Sequence, residues 1–389
     1  VRVCQIIETV DPASGGTTSA FLGLLDALAL TPGLHLAAAA HLPTGASLDG
    51  RLSAEARAAL TITGPSGLAR PGALAPGAIE MMRRFKPDVV HLHALWSADL
   101  IAIAKAARAM GARTVWQPHG MLVRRAYKRG QLKKSLFLRA LGLARELRSA
   151  GAIVYASEFE REQSSWLPPA RRVPARLIPL PVDIPVQIEQ IASKRAAYRA
   201  ASGIDPDAPL VVFLGRLHAV KRVDLAISAF AHAARTIPDA QMLVLGGGEP
   251  EDEKELKGLA ERLAIADRVR FAGWIEPSRR WDALCAADCL VLCSMFENFG
   301  FVVPEALGVG ATVAITDQLA MSHAVGKLEL GWVCNSTPQS LGEGIAKALT
   351  DPDREARSVR AQAWVRETFS PGSVASNLKD MYESLSPAP

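Results

Sequence analysis

The sequence predicts an α/β protein built from two doubly wound domains. Short apolar runs alternate with longer amphipathic stretches, which is the pattern of a parallel sheet covered by helices on both faces. The alternation stops at a proline-rich segment near the middle of the chain and then restarts. The length of 389 residues fits two or three domains at about 150 residues each.

In chain order, strands are expected at Val1–Ile7, Leu34–His41, Val89–His93, Thr114–Trp116, Ala152–Tyr155 and Leu177–Leu180. They read as nearly continuous apolar runs because strands of a covered parallel sheet are buried on both faces. Helices are expected at Thr18–Leu30, Ala98–Met110 and Lys133–Leu147. Ser157-Glu158-Phe159-Glu160 carries a capping-box signature for another helix. Ile178–Pro185 (IPLPVDIP) has three prolines and reads as an extended hinge. Strands then recur at Leu210–Leu214, Gln241–Leu245, Val269–Phe271, Cys289–Leu292 and Thr312–Ile315. From Pro338 to Leu385 the pattern is helical, broken near Ser370-Pro371. The expected organisation is a Rossmann-like domain over 1–180, a second over 186–360, and C-terminal helices over 361–389. Two such sheets facing each other across a cleft would place ligands beyond the carboxyl ends of their strands.

Composition excludes several classes. Hydrophobic residues make up 49% and charged residues 21%, so wholesale disorder is out. No apolar run reaches the roughly 18 residues that a spanning helix needs. Residues 1–10 read as a strand rather than a signal peptide. Five scattered cysteines imply reduced thiols and a cytoplasmic protein. Cys285, Cys289 and Cys293 are spaced like metal ligands, but nothing nearby completes a site, so they read as small buried hydrophobes. Residues 1–190 hold 23 Lys and Arg against 14 Asp and Glu; the remainder holds 21 against 25. That asymmetry gives the two halves different partners.

Three segments carry candidate chemistry. Gly15 and Gly16 follow the first strand and open a helix, where backbone N–H groups approach anions. Arg216 and Lys221 lie in the loop after the first strand of the second half. A guanidinium fork and an ammonium there can neutralise a diphosphate without a metal. Phe296–Leu307 (FENFGFVVPEAL) contains Glu297 in a glycine-bearing loop and Glu305 near a helix start, with Pro304 at an N-terminal position. A carboxylate at Glu305 can accept two hydrogen bonds from a cis-diol such as a ribose. Glu297 would face the group attached to the diphosphate.

These residues resemble the retaining glycosyltransferases of family 4, whose fold is GT-B. The resemblance covers nearly the whole chain and includes Gly15-Gly16, Pro118-His119-Gly120, Ser157-x-x-Glu160, Gly215-Arg216 with Lys221-Arg222, Gly246-Gly247-Gly248-Glu249, and Glu297 and Glu305 followed by Ala306-Leu307. It implies that Arg216 and Lys221 hold the diphosphate of a nucleotide sugar and Glu305 its ribose. It implies that Glu297, Asn298, Phe299 and Gly300 face the sugar, with His119 close to it. It implies that Gly248, Glu249, Trp274 and Ile275 complete the donor site, the last two beside the base. The catalytic set is then Glu297, His119, Arg216 and Lys221, with no metal and no cofactor beyond the UDP- or GDP-linked donor. Transfer from the leaving-group side and a covalent intermediate on Glu297 both remain open.

The basic first half suits an anionic acceptor, and the resemblance suggests a lipid-linked glycan in polysaccharide or O-antigen assembly. Arg124, Arg125, Lys128 and Arg129 begin a run of nine Lys and Arg with one acid through Arg148. The run lies on the acceptor side and is expected to contact the inner face of a membrane. Nucleic acid is not an expected partner. His91-x-His93 lacks the companions of a metal centre, although His93 could face substrate. Asp205-Pro206-Asp207 and Asp351-Pro352-Asp353 read as turns. Two other readings compete: a non-hydrolysing sugar-nucleotide epimerase on the same scaffold, and a non-catalytic sugar-nucleotide-binding protein.

Overall fold

A computed structural model of the chain describes residues 1–11, 16–48, 50, 52–63, 72–276 and 278–386. The chain divides into two compact units, Val1–Asp183 with Phe369–Pro389, and Ile184–Thr368.

Unit 1 is built on strands β1 (Arg2–Thr9), β2 (His35–His41), β3 (Leu60–Ile62), β4 (Val89–His93), β5 (Arg113–Gln117), β6 (Ala152–Tyr155) and β7 (Ala175–Leu177). All pairings are parallel, in the order β3-β2-β1-β4-β5-β6-β7. Successive residues of β1 feed opposite faces: Cys4 and Ile6 join one buried cluster, Ile7 another with Phe21 and Leu25. All five residues of β4 are buried, as a central parallel strand requires.

Unit 2 is built on β8 (Leu210–Leu214), β9 (Gln241–Leu245), β10 (Val269–Gly273), β11 (Cys289–Leu292), β12 (Thr312–Thr316) and β13 (Trp332–Cys334). Its order is β10-β9-β8-β11-β12-β13, again all parallel. The strand order of each unit reverses direction once, between β1 and β4 and between β8 and β11. In open parallel sheets such switch points are where ligands bind, beyond the carboxyl ends of the strands.

At the opposite end of unit 2, buried Asp288 ties the sheet to its helices. It accepts from the Leu210 amide at 2.7 Å and pairs with Arg199 at 2.7 Å, Arg195 at 2.8 Å and Arg354 at 2.6 Å. These arginines hold its carboxyl below the ordinary range despite burial, which opposes them.

The α/β class and the two Rossmann-like domains of the sequence reading stand, with local corrections. Strands β3 and β13 went unread because each spans only three residues at a sheet edge. The strand expected at Leu177–Leu180 instead ends at Leu177, before Pro179. The single helix expected over Lys133–Leu147 is split into Gln131–Arg139 and Leu143–Arg148, because Gly142 adopts φ 87° between them. The chain returns to unit 1 at Phe369 rather than at 361, and the last helix, Pro371–Leu385, is capped by Ser370. The cysteines are free and buried.

Candidate functional site

In unit 2, the loops after β8 and β11 meet at the switch point. The loop after β8 leads into a 3-10 turn over Ala219–Lys221, started by the His218 ring accepting from the Val220 amide. The Met295 amide donates to the Val220 carbonyl at 2.8 Å and stitches the two loops together. Lys221 Nζ then donates to Glu297 Oε1, which also accepts from the Ser294 hydroxyl at 3.0 Å. The two residues assigned from sequence to a diphosphate and a sugar are therefore partnered with each other. Arg216 is exposed and makes no ion pair among the described residues.

Glycines let the loop after β9 approach that after β8. Gly246 adopts φ 136°, and a Cβ there would fall 1.8 Å from the Gly215 carbonyl oxygen. The Leu217 amide reaches the Gly247 carbonyl at 2.9 Å. Gly248 and Glu249 are exposed, Glu249 at the N-cap of helix Pro250–Arg262. The Gly246 amide donates to the Gly273 carbonyl at 2.8 Å, bringing the end of β10 alongside. There Trp274 is 66% exposed, far more than a tryptophan in a packed surface, with Ile275 half-buried beside it.

The loop from Phe296 to Phe301 turns at Gly300, φ 78°. Phe299 is buried edge-on to Phe301, and the side-chain oxygen of Asn298 is buried without a hydrogen-bond partner among the described residues. Helix Val302–Gly308 follows, with Glu305 buried in its first turn and paired to Arg280 at 2.9 Å. Burial raises the Glu305 carboxyl above the ordinary range, and Arg280 offsets this only in part.

In unit 1, the turn after β5 places His119 at φ 49°, a left-handed backbone for a non-glycine residue. Fully buried Glu160 braces this turn by accepting from the Gly120 amide and, at 2.9 Å, from the Ala156 amide. His119 Nε2 lies 2.9 Å from Nδ1 of buried His93. Burial lowers the basicity of His119, to a pKa of about 4. His93 is fully buried and bonded to Gln5 as well, so it does not face a substrate. Gly16 opens helix Gly16–Ala29 and is exposed; Gly15 lies outside the described residues. At the unit 1 switch point, Glu8 on β1 accepts from Ser97 at 3.0 Å.

Arg124, Arg125, Lys128 and Arg129 are all exposed, on or beside helix Arg124–Lys128. On the next helix Leu132 is 90% and Leu136 55% exposed. Phe137 and Leu143, apolar positions of the same run, pack into the core of unit 1. The Asp351 carboxylate accepts from the Asp353 amide and pairs with Arg357, and Asp205 accepts from the Asp207 amide, so both Asp-Pro-Asp segments are turns. Among the described residues no group of three or more His, Cys, Asp or Glu is arranged to hold a metal, and no helix is long and apolar enough to cross a membrane.

Sequence reasoning missed Gln5, Glu8, Arg280 and Tyr382. A glutamine inside the apolar β1 was a signal for the first. The others are brought in by the fold, Tyr382 from the opposite end of the chain.

Residues 34–185 match the model for Glycosyltransferase Family 4, and residues 194–363 match that for Glycosyl transferases group 1. The chain is 27% identical over 254 residues to a D-inositol 3-phosphate glycosyltransferase of Xylanimonas cellulosilytica, covering 63% of this chain and 59% of that protein. It is 30% identical over 193 residues to a protein of the same description from Segniliparus rotundus, covering 49% and 43%. The chain thus spans about half the length of the curated relatives it matches. Among solved structures it resembles Anabaena Alr3699/HepE in complex with UDP, with a TM-score of 0.77, 18% identity, and coverage of 99% of this chain and 100% of that one. It also resembles a sucrose-phosphate synthase from Thermosynechococcus elongatus, with a TM-score of 0.73, 19% identity and 99% coverage of both. The two models run from residue 34 to residue 363, a glycosyltransferase family 4 domain followed by a group 1 glycosyltransferase domain, and the chain has the GT-B fold.

Proposed function

We propose that the protein transfers a hexose from a nucleoside-diphosphate sugar to an acceptor hydroxyl, with retention and without a metal. The observation that carries this reading is the Lys221–Glu297 pair that joins the loops after β8 and β11, with Arg216 exposed on the first loop, Glu305 in the first turn of the helix that follows the second, and Trp274 exposed at the end of β10. Trp274 and Ile275 offer an apolar face to a base. Glu305, oriented by Arg280, has a carboxylate oxygen left for a ribose hydroxyl. Arg216 and Lys221 take the diphosphate.

Charge drives the chemistry. As the glycosidic bond breaks, negative charge grows on the diphosphate while the sugar becomes oxocarbenium-like. Cations fixed at the leaving group lower that barrier. Lys221 exchanges its carboxylate partner for phosphate oxygens, and Glu297 is released to face the sugar with Asn298, Phe299 and Gly300. Once Lys221 has moved, Glu297 Oε1 still accepts from the Ser294 hydroxyl, which orients the carboxylate, and the acceptor attacks from the leaving-group side. The leaving phosphate then takes the acceptor proton. His119 lies beside the transferred sugar.

The acceptor is anionic. The excess of Lys and Arg in residues 1–190 supports this, and the curated relatives are named for a phosphorylated polyol. A lipid-linked glycan in polysaccharide assembly, reached from the cytoplasmic face of the membrane, fits the basic run at Arg124–Arg148. Thermal-shift measurement against UDP, GDP and ADP, followed by determination of the product anomer, tests the reading. A nucleotide that binds the folded protein raises its melting temperature by mass action. No shift with any of the three, or an inverted product, contradicts it.

A further inference from the structure

The function proposed above gives His119 a place but leaves Gln5, His91, His93 and Tyr382 without one. With His119 they form an unbroken polar chain inside unit 1. The Gln5 amide nitrogen donates to the Tyr382 hydroxyl at 2.8 Å, and that hydroxyl lies 2.7 Å from His91 Nδ1. His93 Nε2 lies 2.7 Å from Gln5 Oε1, and His93 Nδ1 lies 2.9 Å from His119 Nε2. Gln5, His91, His93 and Tyr382 are fully buried, and the rings of His93 and His119 stack at 5.2 Å.

The chain has a direction. The Gln5 carbonyl can only accept, so His93 Nε2 carries the proton. A neutral imidazole has a single N–H, which leaves His93 Nδ1 as an acceptor. His119 Nε2 must then be the donor, and His119 Nδ1 is a bare lone pair. No group among the described residues bonds that nitrogen. Burial keeps all three rings neutral near pH 7, with His91 at a pKa of about 3 and His119 at about 4. On the other branch, Tyr382 accepts from Gln5 and donates to His91.

We propose that Tyr382, Gln5 and His93 are positioning residues that lock His119 as its Nε2–H tautomer, so that Nδ1 accepts a hydrogen bond from a hydroxyl of the bound sugar. The sugar contact rests on the function proposed above; the tautomer does not. A reversed Gln5 amide would invert every bond in the chain and put the His119 proton on Nδ1.

The test is nitrogen-15 NMR of the full-length protein labelled at histidine, with the His119 signals assigned by their loss in His119→Gln. The expected wild-type pattern is a protonated Nε2 and a bare Nδ1. Gln5→Leu should turn His119 into a mixture of tautomers and lower kcat/KM about tenfold, as for one lost hydrogen bond. Tyr382→Phe, the milder change, should shift the mixture in the same direction while the protein stays folded. A wild-type His119 protonated at Nδ1, or a tautomer unmoved in both variants, overturns the proposal. If the tautomer behaves as stated but His119→Ala transfers sugar at the wild-type rate, the relay stands and the sugar contact is overturned.

Discussion

Lys221 and Glu297 form an ion pair that joins the loops after β8 and β11, with both side chains mostly covered. The cation and the carboxylate neutralise each other in this mostly covered position, which spares the site two uncompensated charges. The pair predicts distinct phenotypes for its members. Glu297→Gln leaves Lys221 free for the diphosphate, so donor KM should hold or fall while kcat drops at least ~10²-fold, as for a lost transition-state contact. Lys221→Ala should lower kcat and raise donor KM together. Steady-state kinetics with varied donor checks both, and wild-type kcat in Glu297→Gln contradicts the role of that residue.

Glu305 has a different task. Its buried carboxylate is oriented by Arg280 and is read as the ribose contact. Glu305→Ala should mainly raise donor KM, by about ten- to a hundredfold for loss of a charged hydrogen bond. A fall in kcat with unchanged KM in the same kinetic assay would move Glu305 to the transition state.

Much of the candidate site in unit 2 was legible in the sequence because its residues sit in local segments. Gly246–Glu249, which the family resemblance singled out, and Glu297–Glu305 each lie on one loop or one loop-to-helix junction, so residues close in sequence stay close in space. Unit 1 was harder to read. Gln5, His93, His119 and Tyr382 come from three strands or their ends and the last helix, so only tertiary packing brings them together. The Lys221–Glu297 pairing was likewise hidden, since a span of 76 residues carries no periodic signal. Short edge strands such as β3 and β13 lack enough residues to show alternation.

The site is expected to work without a divalent ion. Arg216 and Lys221 supply positive charge where the diphosphate would lie, and both Asp-Pro-Asp segments are occupied as turns. Transfer should therefore survive excess EDTA. Complete loss with EDTA, restored by Mg²⁺ or Mn²⁺, would show a metal in the reaction.

Buried histidines make stability depend on pH. His91, His93 and His119 are all lowered by burial, so between pH 6.5 and about 5 the unfolded chain binds protons that the folded one does not. Stability must then fall as pH falls through that window, with a slope that approaches about 1.4 kcal/mol per pH unit for each such histidine. Glu8 and Glu305, raised by burial, act in the opposite sense nearer their own range. Urea midpoints at pH 7 and 5.5 check the sign, and a higher midpoint at 5.5 contradicts it.

Asp288 offers a test of stability apart from the site. Its carboxylate is shared by Arg195, Arg199 and Arg354, and Arg199 is itself fully buried. Asp288→Ala leaves these cations without their acid and should cost about 3–5 kcal/mol, the usual penalty for breaking a buried ion pair. Chemical denaturation measures it, and a loss below about 1 kcal/mol would mean that the arginines find other partners.

The final prediction concerns a lipid surface. Arg124, Arg125, Lys128 and Arg129 are exposed, and the following helix, Gln131–Arg139, turns Leu132 and Leu136 outward among Arg129, Lys133 and Arg139. Leucines that exposed gain nothing from folding, whereas Phe137 and Leu143 of the same run are spent on the core of unit 1. Outward leucines among cations suit a headgroup layer, with the apolar groups inserted and the charges on anionic lipid. Each engaged cation contributes roughly 1 kcal/mol, so five would hold the protein reversibly without a lipid anchor. Co-sedimentation should recover it with vesicles containing anionic lipid at low salt, less at high salt where screening shortens the reach of each charge, and little with neutral vesicles. Leu132→Ser with Leu136→Ser should weaken binding while leaving its salt dependence, and Arg124→Glu with Arg125→Glu should remove most of both. Equal recovery on neutral and anionic vesicles, or none on either, would mean that the basic run is a solvated surface and that the acceptor reaches the protein from solution.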